Sequence, residues 1–319
     1  MPSEFLEHLL ELPASAAGLR LDQALAAALP QYSRARIQAW IKEGAVDVDG
    51  RAPRSRDPVG GGEKVRVAAR FQSDLSVAPE AMPLRILHED QDLIVIDKPA
   101  GLVVHPGAGN PSHTLQNALL AHDPELARLP RAGIVHRIDK ETSGLLVVAR
   151  SSIAHVALVE ALRVHAVQRE YLGICVGRVS SGGSVDQPIG RHRTQRTSMT
   201  VRADGREART HYRIEQRYRT HTLLRIQLET GRTHQIRVHL AHIGFPLVGD
   251  PVYGGRRQLT AGSSPELLAT LKTFRRQALH AAQLELVHPV SGIELRFTAP
   301  LPEDFAALKR ALQVDAEGP

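Results

Sequence analysis

The sequence contains very little cysteine and few aromatic residues. The single cysteine, Cys175, excludes an internal disulfide and a thiolate-rich zinc site. Aromatic side chains account for 4% of the 319 residues, so any stacking against a planar ligand must depend on a few individual rings. Disulfide-stabilised scaffolds and cysteine-rich zinc proteins are therefore excluded as classes.

Long apolar runs are also missing. No stretch approaches the roughly 20 apolar residues that a helix needs to span a bilayer. The first residues carry Glu4, Glu7 and Glu11 between apolar positions, without the basic start or the apolar centre of a signal peptide. We therefore expect a soluble protein of the cytoplasm that does not associate with membranes.

The chain has an excess of basic residues and an ordinary share of apolar ones. It contains 40 Lys and Arg against 34 Asp and Glu, a net charge of +6. This excess favours a polyanionic partner, although basic charge also serves solubility alone. The length predicts one large domain and a smaller module, and a hydrophobic fraction of 42% is enough to build their cores.

The N-terminal part predicts helices followed by short strands. Leu21 and Leu25 recur at helical spacing before Pro30, and Ser33 offers an N-cap for a second helix that begins at Arg34. Short segments of alternating character follow on either side of an Asp-Gly turn. This order indicates a compact unit that is helical first and stranded after.

The rest of the chain predicts a larger domain with several strands. Residues 86–96 indicate a hairpin and residues 145–149 a buried strand, after which Ser151 caps a helix. Residues 171–176 and 222–230 indicate further strands. Strands joined by hairpins and interrupted by helices favour an α+β fold with a mixed, largely antiparallel sheet flanked by helices.

These patterns divide the chain into three parts. We assign residues 18–72 to the N-terminal unit and residues 84–310 to the larger domain. Residues 73–83 have no sustained period and are assigned to a linker.

A cluster of polar residues lies immediately before the buried strand. Residues 133–144 read GIVHRIDKETSG, with His136, Arg137 and Asp139 next to one another. The ordinary interpretation is a turn in which these side chains satisfy loop backbone groups. The alternative is a catalytic carboxylate, Asp139, with basic residues beside it.

A second polar cluster leads into a predicted helix. Residues 229–239 read ETGRTHQIRVH, and Thr233 is predicted to cap a helix that runs toward His242. Arg237 lies at the edge of the apolar stripe of this helix. A guanidinium there needs an acidic partner if it is partly desolvated, whereas a solvated helix face needs none.

Together, the two clusters resemble the RluA-type pseudouridine synthases. His-Arg-Ile-Asp followed by Thr-Ser-Gly resembles the catalytic motif of that family, and Gly-Arg-Thr-His-Gln-Ile-Arg-Val-His resembles its later arginine motif. Residues 169–171 (Arg-Glu-Tyr) and 249–254 (Gly-Asp-Pro-Val-Tyr-Gly) match two further family motifs. Residues 33–34 and 44–50 resemble the S4 RNA-binding domain, which would make the N-terminal unit S4-like. The resemblance extends from about residue 19 to residue 302.

The resemblance implies that the chain converts uridine in RNA to pseudouridine. Asp139 would act at the sugar carbon, either by attacking C1′ or by taking a neighbouring proton. Arg237 would grip both oxygens of Asp139 and keep it ionised. Tyr171 would lie against the uracil and remove the proton from C5. No metal, nucleotide cofactor or other cofactor is implied, because nothing is oxidised and no group but one proton is lost.

The resemblance also implies how RNA is bound. The target nucleotide must leave its stack to reach a closed pocket, and Arg137 would occupy the space that it vacates. Other basic residues would contact the phosphate backbone, although ordinary solvated charge explains them equally well. These predicted backbone contacts are Arg34, Arg36, Arg191, Arg193 and Arg196.

The implied substrate is a stem-loop of large-subunit ribosomal RNA or a pre-ribosomal particle, modified by a monomer. The same chemistry at other ribosomal positions is one alternative. A metal hydrolase that uses His234, His239 and His242 is another. An N-glycosidase that releases uracil would need a second carboxylate, for which Glu141 is the nearest candidate in sequence. The last alternative is an RNA-binding ribosome assembly factor without catalytic activity.

Overall fold

The computed structural model describes residues 4–29, 32, 34–71, 77–107, 109–195, 198–254 and 263–318. The predicted N-cap Ser33, the helix-ending Pro30, the predicted RNA contact Arg196 and the first four residues of the predicted linker, 73–76, lie outside these ranges. The strands are β1 (Glu4–Glu11), β2 (Val46–Val48), β3 (Lys64–Phe71), β4 (Ile86–Glu89), β5 (Leu93–Lys98), β6 (Ser143–Ala149), β7 (Gln168–Val176), β8 (Gly183–Asp186), β9 (Ile189–Arg191), β10 (Met199–Val201), β11 (Arg209–Arg217), β12 (His221–Leu228), β13 (Leu279–Val287) and β14 (Glu294–Thr298). The α-helices are α1 (Leu21–Ala28), α2 (Arg34–Lys42), α3 (Leu115–His122), α4 (Ser152–Arg163), α5 (Gln235–His242), α6 (Pro265–Thr273) and α7 (Glu303–Glu317).

The N-terminal unit is a three-stranded antiparallel sheet with two helices. Strand β3 lies between β1 and β2, and Leu25, Ile37 and Trp40 of the helices belong to the same buried core as the sheet. Strand β1 was not predicted from the sequence. Its inward positions, among them Leu6 and Leu10, alternate with exposed ones, and the strand pairs with β3 along its whole length.

The larger domain is built on one nine-stranded sheet. Its order is β4-β5-β6-β13-β7-β12-β11-β8, and β14 pairs with β13 at the side of that path. Within the described residues, β6 and β13 run parallel, and the other neighbouring strands of this sheet are antiparallel. The predicted α+β fold with a mixed, largely antiparallel sheet flanked by helices is therefore confirmed.

Alternation along β5 and β6 explains how both faces of the sheet are covered. Ile94 and Ile96 of β5 belong to the same core as the inner faces of α3 and α5. Their neighbours Leu93 and Val95 point the other way and join the core formed with α4. Because both faces are buried, these strands read as continuous apolar runs in the sequence. Among the described helices, none is both long enough and apolar enough to cross a membrane.

Candidate active site

The segment that carries Asp139 is fixed to the sheet by its own neighbours. The Asp139 carbonyl accepts a hydrogen bond from the amide of Thr142 at 3.0 Å, which closes a turn. The Nε2 atom of His136 accepts the amide hydrogen of Val147 on β6 at 3.0 Å. Burial lowers the pKa of His136 to about 3, so the ring is neutral and serves as an anchor. The loop therefore forms the turn that is the ordinary interpretation of residues 133–144. The same loop carries Asp139, the carboxylate of the alternative interpretation.

Gly144 follows this turn because no larger residue fits there. Its φ is +108°, and a Cβ atom at this position would lie 2.1 Å from the carbonyl oxygen of Ala281. The pair sits where β6 meets β13 in parallel. The Thr-Ser-Gly part of the motif therefore sets how closely the segment that carries Asp139 approaches the centre of the sheet.

Arg237 reaches Asp139 from α5. Its Nη1 atom donates to Asp139 Oδ2 at 3.0 Å, and the two side chains are 6% and 17% exposed. The fork of the guanidinium grips a different carboxylate: Nε and Nη2 donate to the two oxygens of Asp250 at 2.7 and 2.9 Å. The predicted Asp139–Arg237 pair is thus present in the structure, but the two-pronged contact predicted for Asp139 was wrong and belongs to Asp250.

Asp250 is the residue of this site to which the sequence analysis gave no role. Its side chain is buried, and Oδ1 also accepts hydrogen bonds from the amides of Val252 and Tyr253 at 2.9 and 3.0 Å. Burial alone would raise the pKa of Asp250, but the hydrogen bonds and charge of Arg237 outweigh it and lower that pKa. Burial likewise opposes the charge of Arg237, and Asp250 with Asp139 raises its pKa overall. Arg237 thus links Asp139 and Asp250 in one hydrogen-bonded network.

The start of α5 differs from the prediction. Thr233 does not cap the helix, because the N-cap is His234, which has a left-handed backbone with φ of +57°. The side-chain oxygen of Gln235, the first residue of the helix, accepts a hydrogen bond from the amide of Arg232 at 3.0 Å. His234 is hydrogen-bonded at 2.8 Å to the hydroxyl of Tyr253, whose ring lies 5.0 Å from the Arg237 guanidinium carbon.

Tyr171 and Asp139 line one cleft. The empty space of this cleft, counted with the solvent at its mouth, is about 530 Å³. Tyr171 comes from β7 and is 5% exposed. Burial raises the pKa of its phenol, with a smaller contribution from Asp139, so the ring is neutral. Arg237, His234 and Arg137 also belong to the polar part of the lining.

The predicted RNA contacts lie on different elements of the structure and differ in exposure. Arg137 is exposed and lines the cleft that holds Asp139. Arg191 and Arg193 are exposed at and after β9. Arg34 is less available than expected, because it donates to the buried carboxylate of Asp22 at 2.8 and 3.0 Å.

The remaining predicted contact on the N-terminal unit is only partly exposed. Arg36 follows Arg34 on α2 and is half-buried. The roles of all the predicted RNA contacts stay predictions.

The metal hydrolase alternative finds no support in the three histidines. His239 is committed at both ring nitrogens, to Thr210 Oγ1 and to the carbonyl of Gln187, each at 2.9 Å. His234 is bonded to Tyr253 at its Nδ1 atom. No lone pair of His239 is left for a cation, so a zinc triad of His234, His239 and His242 cannot form without breaking these bonds.

Lys98 contacts the segment that carries Asp139 and was not singled out in the sequence. Its side chain is fully buried, and Nζ donates to the carbonyls of Pro99, Leu102 and Lys140 at 2.6, 2.9 and 3.0 Å. Burial lowers the pKa of Lys98 to about 7. Because Lys140 directly follows Asp139, Lys98 ties the turn that carries Asp139 to the end of β5.

Replacing Lys98 with methionine should loosen that turn. Three carbonyls in partly buried hydrogen bonds would lose their donor, and any of them left unsatisfied away from water costs about 1–3 kcal/mol. We expect a lower midpoint in urea denaturation together with reduced activity. Lys140→Met is the matched control, since that side chain is exposed and should tolerate the change. Equal midpoints for the two variants would contradict the anchoring role of Lys98.

Family models match two parts of the chain. The model described as RNA pseudouridylate synthase matches residues 92–242, and the model described as S4 domain matches residues 19–65. The second match lies within the N-terminal unit, as the sequence analysis predicted from the S4 resemblance.

Curated proteins match almost the whole chain. The chain is 54% identical over 305 residues to the ribosomal large subunit pseudouridine synthase D of Xanthomonas campestris pv. campestris, covering 96% of this chain and 92% of that protein. It is 52% identical over 301 residues to the protein of the same name from Escherichia coli strain K12, covering 94% and 92%. Among solved structures, human RNA pseudouridylate synthase domain containing 4 is 29% identical with a TM-score of 0.57, covering 72% of this chain and 93% of that one.

Proposed function

The chain belongs to the RNA pseudouridylate synthase family, and we propose that it converts uridines in large-subunit ribosomal RNA to pseudouridine with Asp139 as its catalytic carboxylate. The proposal includes action by a monomer in the cytoplasm without metal or cofactor. Its substrate would be free ribosomal RNA or a pre-ribosomal particle, with the modified uridines in a stem-loop.

One observation carries the catalytic assignment. Asp139 is held by Arg237 at 3.0 Å in a cleft that Tyr171 also lines, and Asp250 holds Arg237 from behind. A carboxylate fixed this way is available at the cleft surface, while its counter-charge is supplied from the protein interior. The positions are those that match the family motifs, so geometry and resemblance assign the same residues.

The arrangement suits an isomerisation at the sugar carbon. The bond between N1 and C1′ of the uridine breaks, the freed uracil turns, and a bond forms between C5 and C1′ while C5 loses its proton and N1 takes one up. Asp139 supplies the negative charge that C1′ requires as the bond to N1 breaks. The half-buried cleft limits water, which would otherwise capture C1′ and leave an abasic site.

Tyr171 is proposed to lie against the uracil. The raised pKa favours its neutral phenol, which suits packing against the base. A neutral phenol is a weak proton acceptor, so removal of the C5 proton by Tyr171 would require that its hydroxyl pass a proton onward to another base. Packing is therefore the part of its predicted role that the cleft supports better.

The substrate assignment depends on the relatives. Two proteins that share 54% and 52% of their aligned residues with this chain are both named for the ribosomal large subunit, and each aligns over 92% of its own length. Such identity across both domains favours a shared substrate over the same chemistry at other ribosomal positions. The S4 domain and the net charge of +6 are consistent with an RNA substrate.

Pseudouridine mapping tests the proposal directly. Ribosomal RNA from cells with and without the gene would be compared, and we expect specific pseudouridines of the large subunit to disappear when the gene is absent. Restoring the wild-type gene should restore them, whereas a gene encoding Asp139→Asn should not. An unchanged pseudouridine pattern would refute the proposed substrate, and abasic sites in treated RNA would indicate the glycosidase instead.

A further inference from the structure

We propose that Arg169 binds a backbone phosphate adjacent to the target uridine, at the passage from the active-site cleft to a neighbouring basic groove. This inference rests on the proposed function, because it takes an RNA strand as the ligand. It adds a phosphate subsite to a site that is otherwise described by its catalytic residues.

The alternation of β7 places Arg169 on the catalytic face. Side chains two apart in a strand point the same way, so Arg169 and Tyr171 share the face of the cleft. Glu170 points to the other face, where it forms ion pairs with Arg213 and Arg225. The carboxylate nearest to Arg169 in sequence is therefore committed elsewhere.

Arg169 differs from the other buried arginines. Among the described residues, three arginines are buried, and Arg237 and Arg276 each pair with at least one aspartate. Arg169 is 9% exposed, and its Nε atom is buried without a hydrogen-bond partner. No described carboxylate or carbonyl accepts a hydrogen bond from its guanidinium. A buried charge without a partner is costly, which points to an anion that binds from outside.

A basic groove that Arg169 also lines lies next to the cleft. This groove has an empty volume of about 1230 Å³, and six arginines but only two glutamates line it. Arg137, Arg169 and Arg232 line both the groove and the cleft that holds Asp139. An RNA strand that leaves the cleft would therefore pass these three arginines before it reaches the rest of the groove. The arginines that line the groove alone are Arg131, Arg163 and Arg206.

The positive charge of the groove is only partly balanced. Glu229 is already bonded to Arg209 and His211, at 3.1 and 2.6 Å. Burial lowers the pKa of Arg232, and the charge of Arg206 lowers it further. Like charges held this close are stabilised when a polyanion lies between them.

Gly231 keeps the guanidinium of Arg169 accessible. A Cβ atom at position 231 would lie 3.0 Å from Nη1 of Arg169. Glycine thus leaves space beside the Nη1 edge of the guanidinium, where a side chain would crowd it. That edge offers parallel N–H donors, which suit two oxygens of a phosphodiester.

Arg169→Met separates this role from a structural one. Removing a buried charge that has no protein partner should leave the melting temperature unchanged or raise it. Loss of one charged hydrogen-bonded contact should weaken RNA binding by roughly 10- to 100-fold. The slope of log affinity against log salt should fall by roughly 0.7–0.9, the value for one phosphate. Arg310→Met, an equal charge change on the exposed side of α7, should leave affinity and slope unchanged.

A substituted RNA identifies the contacted group. The probe is a synthetic stem-loop of large-subunit ribosomal RNA, with one uncharged methylphosphonate placed in turn on either side of each loop uridine. At one position the wild type should lose about as much affinity as Arg169→Met does, and the variant should lose nothing further. Equal losses in wild type and variant at every position would overturn the proposal, as would a marked fall in the melting temperature of Arg169→Met.

The same experiment keeps the two proposals apart. Pseudouridine formation by the wild type in the unsubstituted stem-loop and in whole large-subunit RNA is measured in parallel. Coupled binding losses without any pseudouridine would count against the proposed function while supporting the phosphate contact. Pseudouridine formation together with equal binding losses in wild type and variant would support the proposed function and count against the phosphate contact.

Discussion

The Asp139→Asn variant is expected to release no measurable tritium from RNA labelled at C5 of uracil, while it still binds that RNA. The substitution keeps the shape of the side chain but removes the negative charge that the sugar carbon needs. Loss of a group that acts directly on the reacting atom costs on the order of 10³-fold or more in rate. Tritium release reports the loss of the C5 proton, and filter binding of the same RNA reports that the cleft remains intact.

Glu141→Gln is the matched control for this result. It removes a carboxylate two residues from Asp139. The backbone carbonyl of Glu141, rather than its side chain, accepts a hydrogen bond from Arg276. We expect near-normal turnover for Glu141→Gln. A glycosidase that used Glu141 as its second carboxylate would instead lose its turnover with this substitution. If Asp139→Asn turned over like the wild type, Asp139 would not be the catalytic group. If the wild type itself released no tritium, the inert assembly factor would become the better interpretation.

The sequence predicted those parts of the fold that local pattern determines. The apolar runs of β5 and β6 and the hairpin of β4 with β5 follow from alternation and turn chemistry, and Ser151 caps α4 as expected. Strand β1 was missed because its register is set by β3, about sixty residues away in the chain. Alternation over so short a segment, half of it glutamate and histidine, is weak evidence without the partner strand.

The site was predictable only as far as motifs placed its residues. The Asp139–Arg237 contact joins positions 98 residues apart, and the family resemblance supplied that pairing. The position of Arg237 at the edge of an apolar stripe predicted an acidic partner only if its guanidinium was partly desolvated, and it did not predict that there would be two. Asp250 was quoted as part of a motif without a role, since a buried carboxylate is recognised only when its burial is known. Thr233 failed as a cap for a similar reason, because the left-handed backbone at His234 moves the start of α5 past it.

Asp250→Asn is expected to give the largest loss of stability among the changes considered. It leaves Arg237, 6% exposed, with one carboxylate in place of two, and removal of one partner from a buried pair costs roughly 3–5 kcal/mol. Arg237 would then be free to turn its fork toward Asp139 and withdraw that carboxylate from the cleft. We therefore expect a lower midpoint in urea denaturation and strongly reduced pseudouridine formation. Asp186→Asn, which removes the 58% exposed partner of Arg209, should change neither.

The pH dependence of unfolding separates this charge effect from a loss of packing. The pKa of Asp250 is lowered in the folded protein from an ordinary value of 3.8. Its contribution to stability is therefore complete above about pH 4 and is lost as the pH falls through the lowered pKa. The wild type should lose stability more steeply than Asp250→Asn below pH 4, so that the two curves converge in acid. Parallel curves across that range would show that asparagine disrupts packing alone, and that Asp139 does not depend on Asp250 for the position of its arginine.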